Sequence, residues 1–269
     1  MRQARNRLLG FLFALAGLAL VAAPARAAEE GCPGLVARHG LPIIPAALTA
    51  GEVGLTFIGH ATFLIESAAG VTIATDYNDY VRPAIIPQVA TMNRAHSTHY
   101  SDNPDPGIKT ILRGWNPNGG AAHHDVQIGD VRIRNVVTNI RDYYGGGGTI
   151  RDGNSIFVFE TADLCIAHLG HLHHTLTPEH LRQLGRIDVA LVPVDGSYTL
   201  DIDGMMEVLA ALSPRVVIPM HFFGRSTLDR FVELARAKSY AVDRRESPSV
   251  VLSRESLPAT PTVIVLPGH

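Results

Sequence analysis

Five histidines, in the fragments His96-Ser-Thr-His99, His168-Leu-Gly-His171 and Met220-His221, concentrate the chemistry of this chain. Each fragment closes an apolar, β-prone run, at 88–92, 164–167 and 215–220. Strand ends line up along one edge of a sheet, so side chains remote in sequence can meet there. Neutral imidazole offers a lone pair near pH 7 and is the commonest protein metal ligand. The pattern predicts a metal site drawn from His96, His99, His168, His171 and His221. Three such nitrogens and a water make a catalytic tetrahedral zinc centre, whose metal-bound water ionises near neutral pH. Iron or manganese is the alternative ion for nitrogen and oxygen ligands. Asp102, three residues past His99, is placed beside the site as a further ligand or as a turn residue before Asn103-Pro104. Asp76 closes another strand-like run, 71–75, and is expected to orient a ligand histidine by accepting its second N–H.

The elements that must position these residues are short and mostly β. Runs at 54–58, 62–66 and 71–75 are spaced for an antiparallel meander, and 110–113 follows the turn Pro104-Asp-Pro-Gly107. A hairpin is expected within 126–140, turning at Gly129-Asp130, and a second joins 155–160 to 164–168. Between them, Tyr143-Tyr144 and four glycines lack the lysine and hydroxyl of a phosphate loop, and read as a mobile loop beside the site. Thr177-Pro-Glu-His180 carries helix-start signals. From there a buried strand at 187–194, a helix at 201–212, a strand at 215–220 and a helix at 227–237 alternate. Shorter strands are expected near Ala241 and Val263. Strands first and alternating units afterwards predict an α+β (α/β) fold of two packed sheets flanked by helices.

Taken together, several segments resemble the metallo-β-lactamase superfamily, in its branch of small metal-dependent hydrolases. They are Phe57-Ile-Gly-His-Ala-Thr-Phe-Leu-Ile-Glu66, Thr75-Asp76, the His96/His99 loop, His168-Leu-Gly-His171, Val192-Pro-Val-Asp-Gly196 and Val217-Ile-Pro-Met-His-Phe222. The resemblance implies a four-layer αββα sandwich of two mixed β-sheets, with metal at the sheet edge. It implies water attack on an ester, amide, thioester or phosphodiester of a small-molecule substrate. It also implies that His60 and His174 lie near the metal without binding it, with His173 beside them. The family's first metal loop reads His-x-His-x-Asp-His, whereas this chain has Arg94-Ala-His96-Ser-Thr98-His99. A guanidinium stays protonated and cannot ligate, so Arg94 is expected to hold an anionic substrate group instead. His171 stands where the family has an aspartate bridging two metals. An imidazole has one free lone pair and does not bridge, so one zinc is expected in preference to two. The competing reading is a non-catalytic ligand-binding protein on a scaffold whose metal site has degenerated.

Bulk properties set the compartment. Arg2, Arg5 and Arg7, an apolar stretch over 8–23 and Ala25-Arg26-Ala27 read as a signal peptide over 1–27 with a small-x-small cleavage site. The expected product is exported, to the periplasm, and spans no membrane. Residues 28–50 form an Ala-, Gly- and Pro-rich lead-in, and 51–269 the domain. The leader holds four arginines and no acid, so cleavage moves the formal charge from −2 to −6. That balance argues against nucleic-acid binding, which rests on basic patches. An oxidising compartment permits a disulfide between the two cysteines, Cys32 and Cys165, although Cys165 equally suits a buried apolar position.

Overall fold

Val53, Leu55 and Phe57 recur at every second position, so one face of their strand enters the core, where Phe63 and Ile65 meet it from the next strand. The computed structural model describes residues 48–142 and 147–267. Its strands in chain order are Glu52–Gly59 (β1), Thr62–Ser67 (β2), Thr72–Ala74 (β3), Val89–Met92 (β4), Thr110–Arg113 (β5), Asp125–Ile128 (β6) and Val131–Arg141 (β7). They continue with Thr149–Thr161 (β8), Leu164–His168 (β9), Val189–Pro193 (β10), Val216–Met220 (β11), Ala241–Arg244 (β12), Ser249–Ser253 (β13) and Thr262–Val265 (β14). The helices are Pro178–Leu184 (α1), Ile202–Leu212 (α2) and Arg225–Ala237 (α3).

Two mixed sheets pack face to face. The six-stranded sheet runs β13-β1-β2-β3-β4-β5 and the eight-stranded sheet β12-β14-β11-β10-β9-β8-β7-β6. Phe57, Phe63 and Ile73 of the first meet Phe157, Phe159, Ile166 and Ile218 of the second in the inner core. The expected sandwich of two sheets is present, with its described helices on one side. Leu184, Leu209 and Phe231, one from each helix, pack with Val158, Ala190 and Val217 on the outer face of the eight-stranded sheet. On the outer face of the six-stranded sheet, loop residues Tyr77, Tyr100, Ile108 and Trp115 cover Ala74, Ala90 and Met92. The physical reason lies in the crossovers. The parallel pairs β3/β4 and β4/β5 need long connections, and these contain Pro83, Pro87, Pro104 and Pro106. Proline lacks the N–H and the clearance that a helix interior demands.

Strand direction decides where function collects. β1 and β3 are each antiparallel to β2, and β4 runs parallel to β3. β9, β10 and β11 are mutually parallel. The chain therefore leaves the C-terminal ends of these strands at His60, Thr75 (followed by Asp76), Asn93, Leu169, Val194 and His221. The strand β13 was not anticipated: it pairs with β1 at the sheet margin, and only Val250 and Leu252 of its residues are buried. The expected leader, Cys32 and the Tyr143-Tyr144 loop lie outside the described residues; Cys165 is fully buried in β9. No described helix is long and apolar enough to cross a membrane.

Candidate metal centre

His99 follows β4 and is fully buried. Its Nδ1 lies 2.5 Å from Oδ2 of Asp76, whose Oδ1 accepts from Asn93 Nδ2 at 2.9 Å. His221 follows β11, also fully buried, with Nδ1 2.9 Å from Oδ2 of Asp195. Asp195 Oδ1 accepts the N–H groups of Ser197, Tyr198 and Thr199 at 2.9, 2.6 and 3.2 Å, and Oδ2 accepts the Thr199 hydroxyl at 2.6 Å. A carboxylate against Nδ1, hydrogen-bonded at His99 and at ion-pair distance at His221, favours the ring proton there and leaves Nε2 as a lone pair. The two Nε2 atoms so prepared face each other at 3.2 Å. Two lone pairs at that distance repel unless a cation lies between them.

Two more rings complete the set. His96 Nε2 and His171 Nε2 are 2.8 Å apart, and one ligand atom from each of His96, His99, His171 and His221 falls within 4.8 Å of the others. Zinc–nitrogen bonds of about 2.0–2.1 Å set the edges of a tetrahedron at roughly 3.3–3.4 Å. The His99/His221 pair fits that edge; the His96/His171 pair is closer, at 2.8 Å, and His96 is the half-buried member of the four. Thr98 Oγ1 holds His96 Nδ1 at 2.8 Å, and His173 Nε2 holds His171 Nδ1 at 2.7 Å. The donor set fits one cation.

Electrostatics keep the rings ready. Burial is the leading cause that lowers the pKa of His96, His99, His168 and His171; neighbouring histidines lower them further, against Asp76 at His96 and His168. Burial, then His221 and His96, pushes His60 down to about 3; burial and Arg141 bring His173 to about 4. These imidazoles are neutral at pH 7, as ligation requires. Burial raises Asp76 to about 6. At Asp195 burial opposes the charge, yet the bonds from His221 and Thr199 hold its carboxyl well below the usual range. His60, Asp76 and His221 take φ of 52°, 42° and 53°. Such backbone costs roughly 1–3 kcal/mol per residue and persists where the surroundings enforce it. One enforcing bond runs from His221 N–H to the His60 carbonyl, at 2.6 Å.

A family model described as the beta-lactamase superfamily domain matches residues 54–221. The chain belongs to the metallo-β-lactamase superfamily. A metal-dependent hydrolase of Thermoplasma acidophilum is 36% identical over 74 residues, covering 26% of this chain and 33% of the relative's length. A metal-dependent hydrolase of Nanoarchaeum equitans is 26% identical over 198 residues, covering 62% of this chain and 83% of its own. A solved structure from Thermotoga maritima, designated a Zn-dependent hydrolase of the superfamily, superposes with a TM-score of 0.60 at 28% identity. That match covers 81% of this chain and 100% of the other.

Within this member of the superfamily, four of the five expected ligand histidines converge and the fifth does not. His168 is the exception. Its Nε2 donates to the Ala61 carbonyl at 2.8 Å and its Nδ1 accepts the Gly170 N–H at 3.2 Å, so both nitrogens are spent on backbone. It ties the end of β9 to the β1–β2 turn. Asp102 is exposed and outside the group, because the chain bends at 102–103, where the Asn103 N–H donates to the Ser101 hydroxyl, instead of continuing as a helix. His174 also stands apart: its Nδ1 donates to the Thr175 carbonyl at 2.8 Å and its Nε2 accepts the Asn139 N–H at 3.2 Å. His173 is the neighbour that touches a ligand ring. His60 does lie at the cluster, its ring centroid 4.2 Å from that of His221, and its buried Nδ1 has no hydrogen-bond partner. Arg94 is exposed two residues before His96.

Three residues escaped the reading of the sequence. Asp195 lies in the Val192–Gly196 segment and, like Asp76, is an acid two residues past a buried strand, the signal that marks it in the sequence. Asn93 and Asn154 carry no such signal. Asn93 Oδ1 accepts the Ser155 N–H at 2.8 Å, joining the two sheets, and Asn154 Oδ1 accepts the His171 N–H at 2.8 Å. Their partners are distant in sequence and appear only in the fold.

Proposed function

We propose that this chain is an exported hydrolase in which a zinc ion, held by His96, His99, His171 and His221, serves attack of water on an ester, amide or phosphodiester of a small molecule. The observation that carries the reading is the pair of carboxylate-backed Nε2 lone pairs of His99 and His221 facing each other at 3.2 Å. When bound, a divalent cation supplies Lewis acidity and lowers the pKa of water. The protein's part is positional. Asp76 and Asp195 fix the tautomers of His99 and His221, while Thr98 and His173 orient His96 and His171. Burial of three of the four rings excludes bulk water from one side, and half-buried His96 marks the open side. Arg94, exposed on the same loop, is suited to an anionic substrate group. Export is supported by the basic, apolar and small-x-small order of residues 1–27.

Metal analysis of the purified protein, paired with ester, amide and phosphodiester substrates, tests this. The expected result is one equivalent of zinc, with metal and turnover lost together in His99→Ala and His171→Ala. Metal-free protein that binds a small ligand without turnover would instead establish the non-catalytic scaffold, for which Arg94 and Thr98 are the specific evidence. Bound iron with redox turnover would also overturn the proposal.

A further inference from the structure

Two large aromatic side chains stand exposed beside the histidine cluster. Phe223 is 63% exposed and Tyr198 54%, and their ring centroids are 5.5 Å apart at 73°. Phe223 also meets the site: its centroid lies 5.3 Å from His221 and 6.1 Å from His60. Its neighbour Phe222 turns the other way, against Phe57 in the core. Solvent exposure of paired rings is unfavourable, and the loop that carries Tyr198 is firmly held. Asp195 binds the backbone of 197–199, and Arg141 donates to the Ser197 and Thr199 carbonyls at 3.5 and 3.1 Å. Phe223 lies three residues past β11, next to the core-facing Phe222. An exposed aromatic corner beside the histidine cluster, held on its Tyr198 side, is suited to receive a flat apolar group.

We infer that Tyr198 and Phe223 form a specificity subsite that receives a planar aromatic group next to the scissile bond. The substrate class is therefore an aryl-bearing ester, amide or phosphodiester. This rests on the hydrolase reading for the reaction, though not for the binding. An edge-to-face or stacked ring against two aromatic partners strengthens binding about tenfold over a methyl group of the same ligand.

The test uses the zinc-loaded full chain and two non-hydrolysable probes, benzylphosphonate and methylphosphonate, compared by calorimetry. The wild-type protein is expected to bind the benzyl probe about tenfold more tightly, and Phe223→Ala and Tyr198→Ala to bring the ratio near one. Phe223→Tyr should restore the ratio, which a merely structural role for the ring would not require. Metal content should be unchanged in all three, because neither residue is a ligand. Equal affinity for the two probes in the wild type, binding of neither, or a preference that survives both alanine variants overturns the inference. Aryl preference in binding without hydrolysis of any substrate leaves the subsite standing and removes the hydrolase reading. Hydrolysis without aryl preference does the reverse.

Discussion

Asp76 and Asp195 orient two ligand histidines in unlike settings. Asp195 receives three backbone N–H groups and the hydroxyls of Ser197 and Thr199 besides facing His221; Asp76 has Asn93 and His99. Replacing either acid by asparagine removes the anion that fixes the ring proton and is expected to weaken zinc binding about 10–100-fold, read by competition with a chromophoric chelator. The two histidines of the His168-x-x-His171 fragment should separate cleanly. His171→Ala is expected to lose metal. His168→Ala should keep one equivalent of zinc while losing about 0.5–1.5 kcal/mol of unfolding free energy, since the buried Ala61 carbonyl loses one of its two donors and keeps the Thr75 hydroxyl. Metal loss in His168→Ala would refute the structural role assigned to that ring. The fragment itself was legible in the sequence, but the division of labour within it was not. Spacing gives two histidines at a strand end; which ring turns inward depends on the Gly170 conformation and on the approach of the β1–β2 turn.

Gly170 shows how elements hold the site. It has φ of +58°, and a Cβ there would lie 2.4 Å from Asn154 Oδ1 and 2.5 Å from Asn93 Nδ2. Those two amides hold His171 and Asp76 respectively. Gly170→Ala should therefore lower both melting temperature and zinc affinity. Gly119→Ala, with φ +88° but nothing within 4 Å, should cost about 1 kcal/mol and leave zinc binding intact. Equal zinc affinity in the two variants would sink the role given to the amide pair. Strands such as Leu164–His168 and Val216–Met220 were readable because they are buried on both faces and form unbroken apolar runs. β13 was not, because an edge strand with alternate exposed residues resembles loop until its partner β1 is known.

At the scale of the whole molecule the buried histidines make stability depend on pH. An unfolded histidine titrates near 6.5, whereas His60 and His173 are held at about 3 and 4. Below pH 6.5 the unfolded chain takes up protons that the fold refuses, so stability falls as pH drops towards 4. Asp76 works in the other sense: raised to about 6, it binds a proton in the fold that the unfolded chain takes only near 4. One carboxyl set against at least two histidines leaves a net loss on acidification. The melting temperature of metal-stripped protein should therefore fall between pH 7 and pH 5, by about 2–4 °C for each kcal/mol. A flat profile would contradict the burial assigned to these rings. Zinc-loaded protein should fall more steeply, because protons then compete with the ion for Nε2.

The sequence by itself determined the kinds of ligand, the strand ends that present them and the superfamily, since residue type and burial pattern are local properties of the chain. It also carried the β-first, α/β-later order that becomes two sheets. The tertiary structure alone decided which four imidazoles meet, which aspartate backs His221 and which sheet receives the helices. Each of those outcomes depends on approach between segments tens of residues apart, at a resolution of about one ångström. Apolar patterning determines which face of a strand is buried; it does not determine where the other sheet's loops will stand when it is.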